Sequence, residues 1–258
     1  MSNSTIHQAA ADGYKQGADT YVRGRPDYPA GVTAWLCETL GLGPGQTVLE
    51  VGAGTGKFTT RLLQTGARVI VVEPVQAMLD KLSVSYPEVE THQGTAQAIP
   101  LADASVDVVV CAQAFHWFAT SAALTEMYRV LKSGGQLGLI WNLRDASVPW
   151  VAQLDALVNQ WEGDAPRFYT GAWRKAFPHP GFGPLREQQL SHSHDGPVED
   201  VIFNRVRSTS FISALAPAER DRLEQQLTAF VASHSVLNHG ATVSVPYVTS
   251  AFVTRKEP

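Results

Sequence analysis

The sequence predicts an α/β fold in which helices cover both faces of a doubly wound sheet. Segments typical of strands and of helices alternate from residue 46 to residue 142, the order that a parallel sheet requires. Residues 67–73 (ARVIVVE) form a β-branched run, as in strands buried on both faces. Two further strands, separated by helical stretches, follow residue 142. The full prediction is a Rossmann-like sheet of seven strands, mostly parallel with an antiparallel last strand, and a mostly helical cap.

The first part of the chain carries five predicted strands. They are at residues 46–51, 67–73, 89–94, 106–112 and 136–142. Helices are predicted between them from Lys57, from Val75 and from residue 120, because apolar side chains recur there at helical spacing. Gly66 is expected to end the first of these helices.

The second part of the chain is predicted to form the cap and the last two strands. Pro149 opens a helix whose Trp150 and Trp161 share one face, so both tryptophans are assigned to the core. The later elements are a strand near 185–193, helical stretches near 197–207 and 217–233, and a last strand within 242–255. Because Pro246 cannot donate to a ladder, it is expected to limit that last strand toward its start.

Composition and charge exclude several kinds of protein. The net charge is -4 without a run of like charge, so the chain lacks the basic surface that nucleic-acid binding needs. It has neither an apolar signal core nor a stretch of about 18 apolar residues. We therefore expect a cytoplasmic protein, a monomer or homodimer, with no nucleic-acid or membrane partner.

Cysteines and histidines do not indicate a metal centre or a disulfide. Cys37 and Cys111 lie in an apolar helical stretch and an apolar strand, and both are interpreted as inert core thiols. His192, His194 and Asp195 alternate on a strand with no further ligand in view, so they are interpreted as surface residues. No metal is predicted.

Residues 48–59 (VLEVGAGTGKFT) place three glycines at alternate positions after the first strand. A P-loop is excluded because Phe58 stands where a hydroxyl residue is required and Val51 where the first glycine is required. A dinucleotide loop needs its third glycine where this chain has Lys57. Glu50 offers a carboxylate beside the loop for a ligand ammonium. The arrangement suits an amino acid joined to a nucleoside.

Glu73 ends the second strand, where it can accept hydrogen bonds from both hydroxyls of a ribose. Hydrogen bonds to a charged acceptor contribute about 1.5–3 kcal/mol each. An acidic residue at this position serves NAD equally well, so Glu73 indicates a nucleoside without choosing the ligand.

Four segments together resemble the class I S-adenosylmethionine-dependent methyltransferases. They are VLEVGAGTGKFT, VVEP, GTAQAIPLADASVDVVVCAQAFHWF and EMYRVLKSGGQLGLIWN. More narrowly, the chain resembles the small-molecule methyltransferases of type 11 that are grouped with trans-aconitate methyltransferase-like proteins. Their N-terminal YxxGRPxYP pattern is present from Tyr21 to Pro29. The specific resemblance covers about residues 14–142 and is looser beyond.

This resemblance implies S-adenosylmethionine as cofactor, S-adenosylhomocysteine as product and no metal. The residues that it implies as cofactor-binding are Tyr21, Arg25, Glu50, Gly52, Ala53, Gly54, Gly56, Glu73, Pro74, Val75, Thr95, Ala96, Gln97, Ala112 and Gln113. The glycine loop would line the methionine, Glu73 would hold the ribose, and Arg25 with Tyr21 would close over the site. The family often has Gly-Asp-Ala after the third strand. Here Thr95 replaces the Asp, so Thr95, the backbone or Gln97 would meet the adenine amino group.

The resemblance also places His116 at the ligand edge of the sheet, which makes it the candidate catalytic base. Its unperturbed pKa lies near neutrality, although a packed or substrate-orienting role is the alternative. Candidate acceptor-binding residues are Tyr14, Trp117, Trp141, Arg144, Tyr169, Trp173 and Arg207. The aromatic faces, Tyr28 included, could contact a sulfonium or an aromatic substrate. Cap arginines, Arg205 included, would favour a carboxylate acceptor unless they are solvated.

We expect one domain over residues 1–258, with 1–30 as an N-terminal lid segment, 31–142 as the cofactor-binding core and 143–258 as cap helices and the last two strands. The first hypothesis is an enzyme that transfers a methyl group to an O, N or C atom of a small molecule, such as a carboxylate or aromatic metabolite. The alternative is a non-catalytic S-adenosylmethionine-binding module, a sensor or assembly partner. An NAD-dependent oxidoreductase is disfavoured by Lys57.

Overall fold

The structure of the protein is a computed structural model, which describes residues 25–238 and 240–258. The expected site residues Tyr14 and Tyr21 lie outside the described residues. The strands are β1 (Thr47–Val51), β2 (Arg68–Glu73), β3 (Glu90–Gln93), β4 (Val106–Ala112), β5 (Leu131–Arg144), β6 (Arg186–Gly196) and β7 (Val243–Arg255). All seven belong to one sheet in the order β3-β2-β1-β4-β5-β7-β6.

The strand directions agree with the predicted sheet. Strands β1 to β5 pair in parallel, whereas β7 pairs antiparallel with both β5 and β6. The prediction of a mostly parallel, doubly wound sheet of seven strands with an antiparallel last strand is therefore confirmed. The chain leaves β1 toward β3 and returns on the other side of β1 to form β4. This reversal creates a switch point between β1 and β4, the place where ligands bind in open α/β sheets.

The last strand runs through Pro246, so the expectation that this proline limits the strand was wrong. Pro246 lies opposite Ser193 of β6, and its carbonyl accepts a hydrogen bond of 2.9 Å from the N–H of Asp145. In a strand the N–H and C=O of one residue point to the same side. The missing N–H of Pro246 thus faces the end of β5, where the ladder stops at Arg144, and the pairing of Pro246 with β6 loses no hydrogen bond.

Helices cover both faces of the sheet and form the cap. The α-helices are α1 (Gly31–Glu38), α2 (Thr59–Leu63), α3 (Gln76–Ser85), α4 (Ser121–Val130), α5 (Pro149–Asn159), α6 (Arg205–Arg207), α7 (Ser210–Ser213), α8 (Pro217–Ser233) and α9 (Ser235–Asn238). Short 3-10 turns span Phe115–Trp117 and Ala172–Ala176, and a π-helical turn spans Glu199–Asn204. The predicted helix near 197–207 is therefore broken into a π turn and the short helix α6.

Two cores lie on the opposite faces of the sheet because the strands are apolar on both faces. Helices α1 to α3 bury Leu36, Leu62 and Leu82 against one face. Helix α4 buries Leu124 and Met127 against the other. A third core joins α5, α8 and the first residues of β7 beneath the cap. The cap therefore stands on the end of the sheet as a separately packed layer.

The boundary between α4 and β5 differs from the sequence prediction. Helix α4 ends at Val130 and Leu131 already belongs to β5, because Leu131 adopts an extended backbone and pairs with Val106.

Cys111 is fully buried in β4, and Cys37 is partly exposed on α1; both are free thiols. Within the described ranges, no helix combines the length and apolar character of a membrane span.

Candidate functional site

A cavity opens at the carboxyl ends of β1, β2 and β4, beside the switch point. Its lining comes from the segment before α1, the glycine loop, the turns after β2, β3 and β4, and the cap residue Arg205. The predicted cofactor residues that line it are Arg25, Glu50, Gly52, Ala53, Gly54, Glu73, Pro74, Val75, Thr95, Ala96, Gln97, Ala112 and Gln113. Residues predicted from separate motifs thus meet in one cavity.

The glycine loop contains backbone conformations that residues with a side chain adopt only at a cost in free energy. Gly52, Gly54 and Gly56 all have positive φ, at 75°, 59° and 87°. A Cβ on Gly52 would lie 2.8 Å from the Cβ of Ala114, and one on Gly56 would lie 2.8 Å from the ring of Tyr86. Gly56 does not line the cavity, so its glycine serves the packing of the loop on α3. The structure thus favours a packing role for Gly56 over the implied contact with the cofactor.

Glu73 is fixed at the carboxyl end of β2 by two backbone donors. Its Oε2 accepts a hydrogen bond of 2.9 Å from the N–H of Gly54, and its Oε1 accepts one of 3.0 Å from the N–H of Val75. Burial raises the pKa of Glu73, and these two bonds oppose that rise. Because each carboxylate oxygen has two lone pairs, the group can still accept from two hydroxyls.

Glu50 lies deeper, at the end of β1, where it is 1% exposed. The hydroxyl of Thr59 donates a hydrogen bond of 2.6 Å to its Oε2. Burial raises the pKa of Glu50 to about 8, the bond from Thr59 opposes the rise, and the charge of Glu73 adds to it. The carboxyl group is therefore protonated at neutral pH in this state, and a cation placed beside it would favour ionisation.

The turn after β4 contributes strained backbone to the cavity wall. Gln113 has a φ of 56°, an uncommon value for a residue with a side chain. Its N–H donates to the carbonyl of Ile140 at 2.8 Å, and its Nε2 donates to the carbonyl of Asn142 at 2.7 Å. These bonds tie the turn to β5, so Ala112 and Gln113 are held at the cavity wall.

The segment before α1 forms a roof over the cavity. The Arg25 Nη2 donates to the carbonyl of Ser208 in the cap at 2.9 Å, and Lys57 Nζ donates to the carbonyl of Arg25 at 2.8 Å. Asn142 Nδ2 donates to the carbonyl of Asp27 at 3.1 Å. The roof is thereby bonded to the cap, the glycine loop and β5, so it is held in place over the cavity.

Cations gather at the end of the cavity that faces the cap. Arg25, Lys57 and Arg205 all contribute to the lining. Burial lowers the pKa of Lys57, with Asp27 opposing and the two arginines adding to the fall. The acids Glu50 and Glu73 lie at the strand ends beside the glycine loop. The cavity therefore has an acidic part and a basic part.

His116 does not have the properties of a general base. Its Nδ1 accepts a hydrogen bond of 3.0 Å from the indole Nε1 of Trp141. Burial lowers the pKa of His116 to about 3, and the nearby charges of Arg167 and Arg25 lower it further. The neutral ring must carry its proton on Nε2 while its one free lone pair is used by Trp141. The structure favours the packing alternative for His116 over a role as the catalytic base.

Among the predicted acceptor-binding residues that the structure describes, only Trp117 lines the cavity. Trp141 is fully buried, with its ring 4.7 Å from that of Trp173, which is itself 2% exposed. Trp173 also lines a second, more open depression, together with Arg144 and Tyr169. Arg207 forms an ion pair of 2.7 Å with Glu224 outside the cavity. These placements favour structural roles over contact with an acceptor for Trp141, Arg144, Tyr169, Trp173 and Arg207.

Three charged or amide side chains of the lining are absent from the site residues predicted from sequence. In the sequence, Lys57 serves only to exclude a dinucleotide, Asn142 falls in a predicted strand, and Arg205 is one of several cap arginines that would favour a carboxylate acceptor. The sequence does carry a signal for Asn142. Successive residues of a strand face opposite sides of the sheet, so an apolar Trp141 packed on one side places the polar Asn142 on the other. For Arg205 the π-helical turn before it removes the simple helical spacing from which its direction could be predicted.

The alternating histidines of β6 pack against the ring of Tyr247. His192 and His194 are half-buried, and their rings lie 5.6 Å and 6.1 Å from that of Tyr247. They are therefore less exposed than the sequence suggested. In the described part of the chain no cluster of His, Cys, Asp or Glu side chains has the form of a metal site.

Comparison with known proteins agrees with this geometry. The family described as "Methyltransferase domain" matches residues 49–139. An uncharacterized methyltransferase-like protein of Schizosaccharomyces pombe is 38% identical over 246 residues, which is 95% of this chain and 96% of the relative. An uncharacterized methyltransferase of Mycobacterium tuberculosis is 36% identical over 229 residues, 89% of each chain.

A solved structure supports the fold assignment. A protein of Anaeromyxobacter dehalogenans described as a type II methyltransferase has a TM-score of 0.67 to this chain. The two sequences are 20% identical, and the match covers 90% of this chain and 97% of the other. At this level of identity the likeness concerns the fold. The full-length relatives above carry the assignment to a family.

Proposed function

Because the chain belongs to the class I S-adenosylmethionine-dependent methyltransferases, we propose that its cavity binds S-adenosylmethionine and positions a small molecule as the methyl acceptor. The observation that carries this proposal is the anchoring of Glu73 by Gly54 and Val75 beside a glycine loop at the sheet switch point. A carboxylate held in this way has lone pairs left for the two hydroxyls of a ribose.

The residues present fit this cofactor. Gly52 and Gly54 leave the backbone bare at the cavity wall, so a ligand can approach it closely. Glu50 offers a buried carboxyl group for an ammonium, and Thr95 and Gln97 line the part of the cavity next to β3. When bound, S-adenosylmethionine supplies a methyl group that its sulfonium already activates. The assignment of each residue to a part of the cofactor is part of the proposal.

The chain's own contribution is alignment and exclusion of water. The roof bonds of Arg25, Lys57 and Asn142 screen the cavity, and Gln113 is fixed beside it by two hydrogen bonds to β5. Holding two reactants in line makes a displacement effectively unimolecular, which lowers its barrier without a nucleophile on the protein. Trp117 places an aromatic face in the same cavity, where an acceptor or a sulfonium can pack.

The sequence supports further proposals on the domain organisation, the cellular location and the partners of the protein. We propose that residues 1–258 act as one domain, with the segment 1–30 as a lid, 31–142 holding the cofactor and 143–258 shaping the acceptor side. The absence of a basic run in the sequence disfavours nucleic acid as acceptor. We propose action in the cytoplasm, as a monomer or homodimer and without a membrane partner.

Methyl transfer to extracted metabolites tests the function. Purified protein would be incubated with methyl-labelled S-adenosylmethionine and metabolite extracts, and labelled products would be sought by mass spectrometry. We expect a labelled small molecule that is absent when Glu73→Ala protein replaces the wild type. If broad extracts yield no labelled product although the cofactor binds, the chain is a binding module, such as a sensor or assembly partner.

A further inference from the structure

Arg205 enters the cavity from the cap without a carboxylate partner. Its Nε donates to the hydroxyl of Tyr247 at 3.2 Å, and its Nη1 donates to the hydroxyl of Thr209 at 3.3 Å. Within residues 25–238 and 240–258, its Nη2 donates no hydrogen bond to a protein atom and Arg205 forms no ion pair with an acid. A guanidinium has five N–H donors, so this side chain keeps donors for a ligand.

Other arginines near this part of the cap are paired with acids. Arg144 lies 2.6 Å from the carboxylate of Asp155, Arg207 lies 2.7 Å from that of Glu224, and Arg167 lies 3.7 Å from Glu162. A charge withdrawn from water without a counter-ion is costly. Burial lowers the pKa of Arg205 to about 10, and the charges of Arg25 and Arg144 lower it further while Tyr247 opposes them.

The surroundings of Arg205 are suited to an anion. Arg25 and Lys57 line the same part of the cavity, so the potential there is positive. The acids of the cavity, Glu50 and Glu73, are held at the strand ends by Thr59 and by the N–H groups of Gly54 and Val75. Asp27 is held by Arg61 at 2.8 Å. No described acid is thus placed to neutralise Arg205.

We propose that Arg205 binds an oxyanion carried by the methyl acceptor, either a carboxylate or a phosphate, in the part of the cavity that Trp117 and Asn142 also line. The planar fork of a guanidinium matches both oxyanions by paired hydrogen bonds. Arg205 is then a specificity-determining residue that orients the acceptor, and it takes no part in breaking the carbon–sulfur bond. The inference rests on the proposed function, since it names the class of acceptor for that reaction.

Fractionated extracts test the class of acceptor. Metabolites would be separated by anion exchange into an anionic pool and a neutral and cationic pool, and each pool would be incubated with the full chain and methyl-labelled cofactor. We expect the labelled products from the anionic pool. Treating that pool with phosphatase separates the two oxyanions, because label survives on a carboxylate acceptor and is lost on a phosphate acceptor. Label confined to the neutral and cationic pool would overturn the inference and leave methyl transfer standing.

Variants of Arg205 test the residue itself. With the labelled product's precursor as substrate, Arg205→Gln should raise KM at least about 10-fold, because a charged hydrogen bond is lost. The KM of Arg205→Lys should lie between those of Arg205→Gln and the wild type. This variant tests the inference if Arg205→Gln fails to fold. Arg207→Gln is the matched control on the same short helix, and its KM should be unchanged.

Cofactor affinity completes the test. S-adenosylhomocysteine should bind the Arg205 variants as tightly as wild type in a calorimetric titration. Loss of that affinity in Arg205→Gln and in Arg205→Lys would mean that Arg205 holds the carboxylate of the cofactor, which overturns the inference. Unchanged KM in Arg205→Gln would overturn it as well. If neither pool is labelled, the proposed function fails together with the inference.

Discussion

The indole nitrogen of Trp141 donates a hydrogen bond of 3.0 Å to Nδ1 of His116. This bond uses the lone pair that a neutral imidazole would need as a base, and burial lowers the pKa of His116 to about 3. The histidine therefore satisfies a fully buried tryptophan, a polar group that would otherwise lie without a partner in the core.

Two variants of His116 separate packing from base catalysis. His116→Asn keeps an oxygen that can accept from Trp141, whereas His116→Leu removes the acceptor. We expect His116→Leu to lower the free energy of unfolding by about 1–3 kcal/mol, the cost of an unsatisfied buried donor, and His116→Asn to lower it less. Denaturant unfolding measures both. In the Trp141→Phe background the difference between the two variants should vanish.

The same variants should retain methyl transfer. A general base contributes about 100-fold to 10,000-fold, so the loss in kcat for His116→Asn should be under about 10-fold. A loss in the range of a general base, with the folded state intact, would restore His116 as the catalytic base.

The buried carboxyl of Glu50 makes stability depend on pH. Its pKa rises from 4.5 to about 8 on folding, so between these values the folded protein holds a proton that the unfolded chain releases. The free energy of unfolding should therefore fall as pH rises through this window, by at most about 1.4 kcal/mol per pH unit for one proton. Denaturant titrations across the window measure the slope.

Replacing Glu50 by glutamine isolates the contribution of this residue to the pH dependence of stability. Glu50→Gln stays neutral at every pH, so the part of the slope due to this residue should disappear. Glu90→Gln is the control, since Glu90 is partly exposed to solvent on β3 and pairs with Arg68. Equal slopes in wild type and Glu50→Gln would show that the carboxyl ionises as readily in the folded protein as in the unfolded chain.

Gly52 combines backbone strain with a close contact, so its replacement should destabilise the protein. Its φ is 75°, and an added Cβ would lie 2.8 Å from that of Ala114. Gly52→Ala should cost at least about 1–3 kcal/mol of stability from backbone strain alone. Gly43→Ala, at a position with open space and without positive φ, should change stability by less than about 0.5 kcal/mol. Thermal and denaturant unfolding compare the two, and similar costs would refute this account of the loop.

The sheet could be predicted from sequence because its signal is local. The run at 106–112 is apolar except for Asp107, and the structure places β4 at the same residues, all of them buried except Asp107. The helix that opens at Pro149 was likewise correct, since a proline at the first turn and an apolar stripe fix its start and its face. Each of these features depends on residues close together in the chain.

The acceptor side could not be predicted as well because it depends on contacts between distant segments. Trp141 and Asn142 are neighbours, yet the first is buried against Trp173 and the second lines the cavity. Arg205 and Arg207 differ in the same way, since one faces the cavity and the other pairs with Glu224. Composition marks both members of each pair as candidates, and only the packing of the cap on β5 distinguishes them.

The central claim is that this cavity binds S-adenosylmethionine through Glu73. Calorimetric titration of the wild type, Glu73→Ala and the control Glu90→Ala with S-adenosylmethionine, and of the wild type with NAD, tests it most directly. We predict one site for S-adenosylmethionine, binding at least about 10-fold weaker in Glu73→Ala, unchanged in Glu90→Ala, and no measurable binding of NAD. Equal affinity in wild type and Glu73→Ala, or tighter binding of NAD than of S-adenosylmethionine, would contradict the claim.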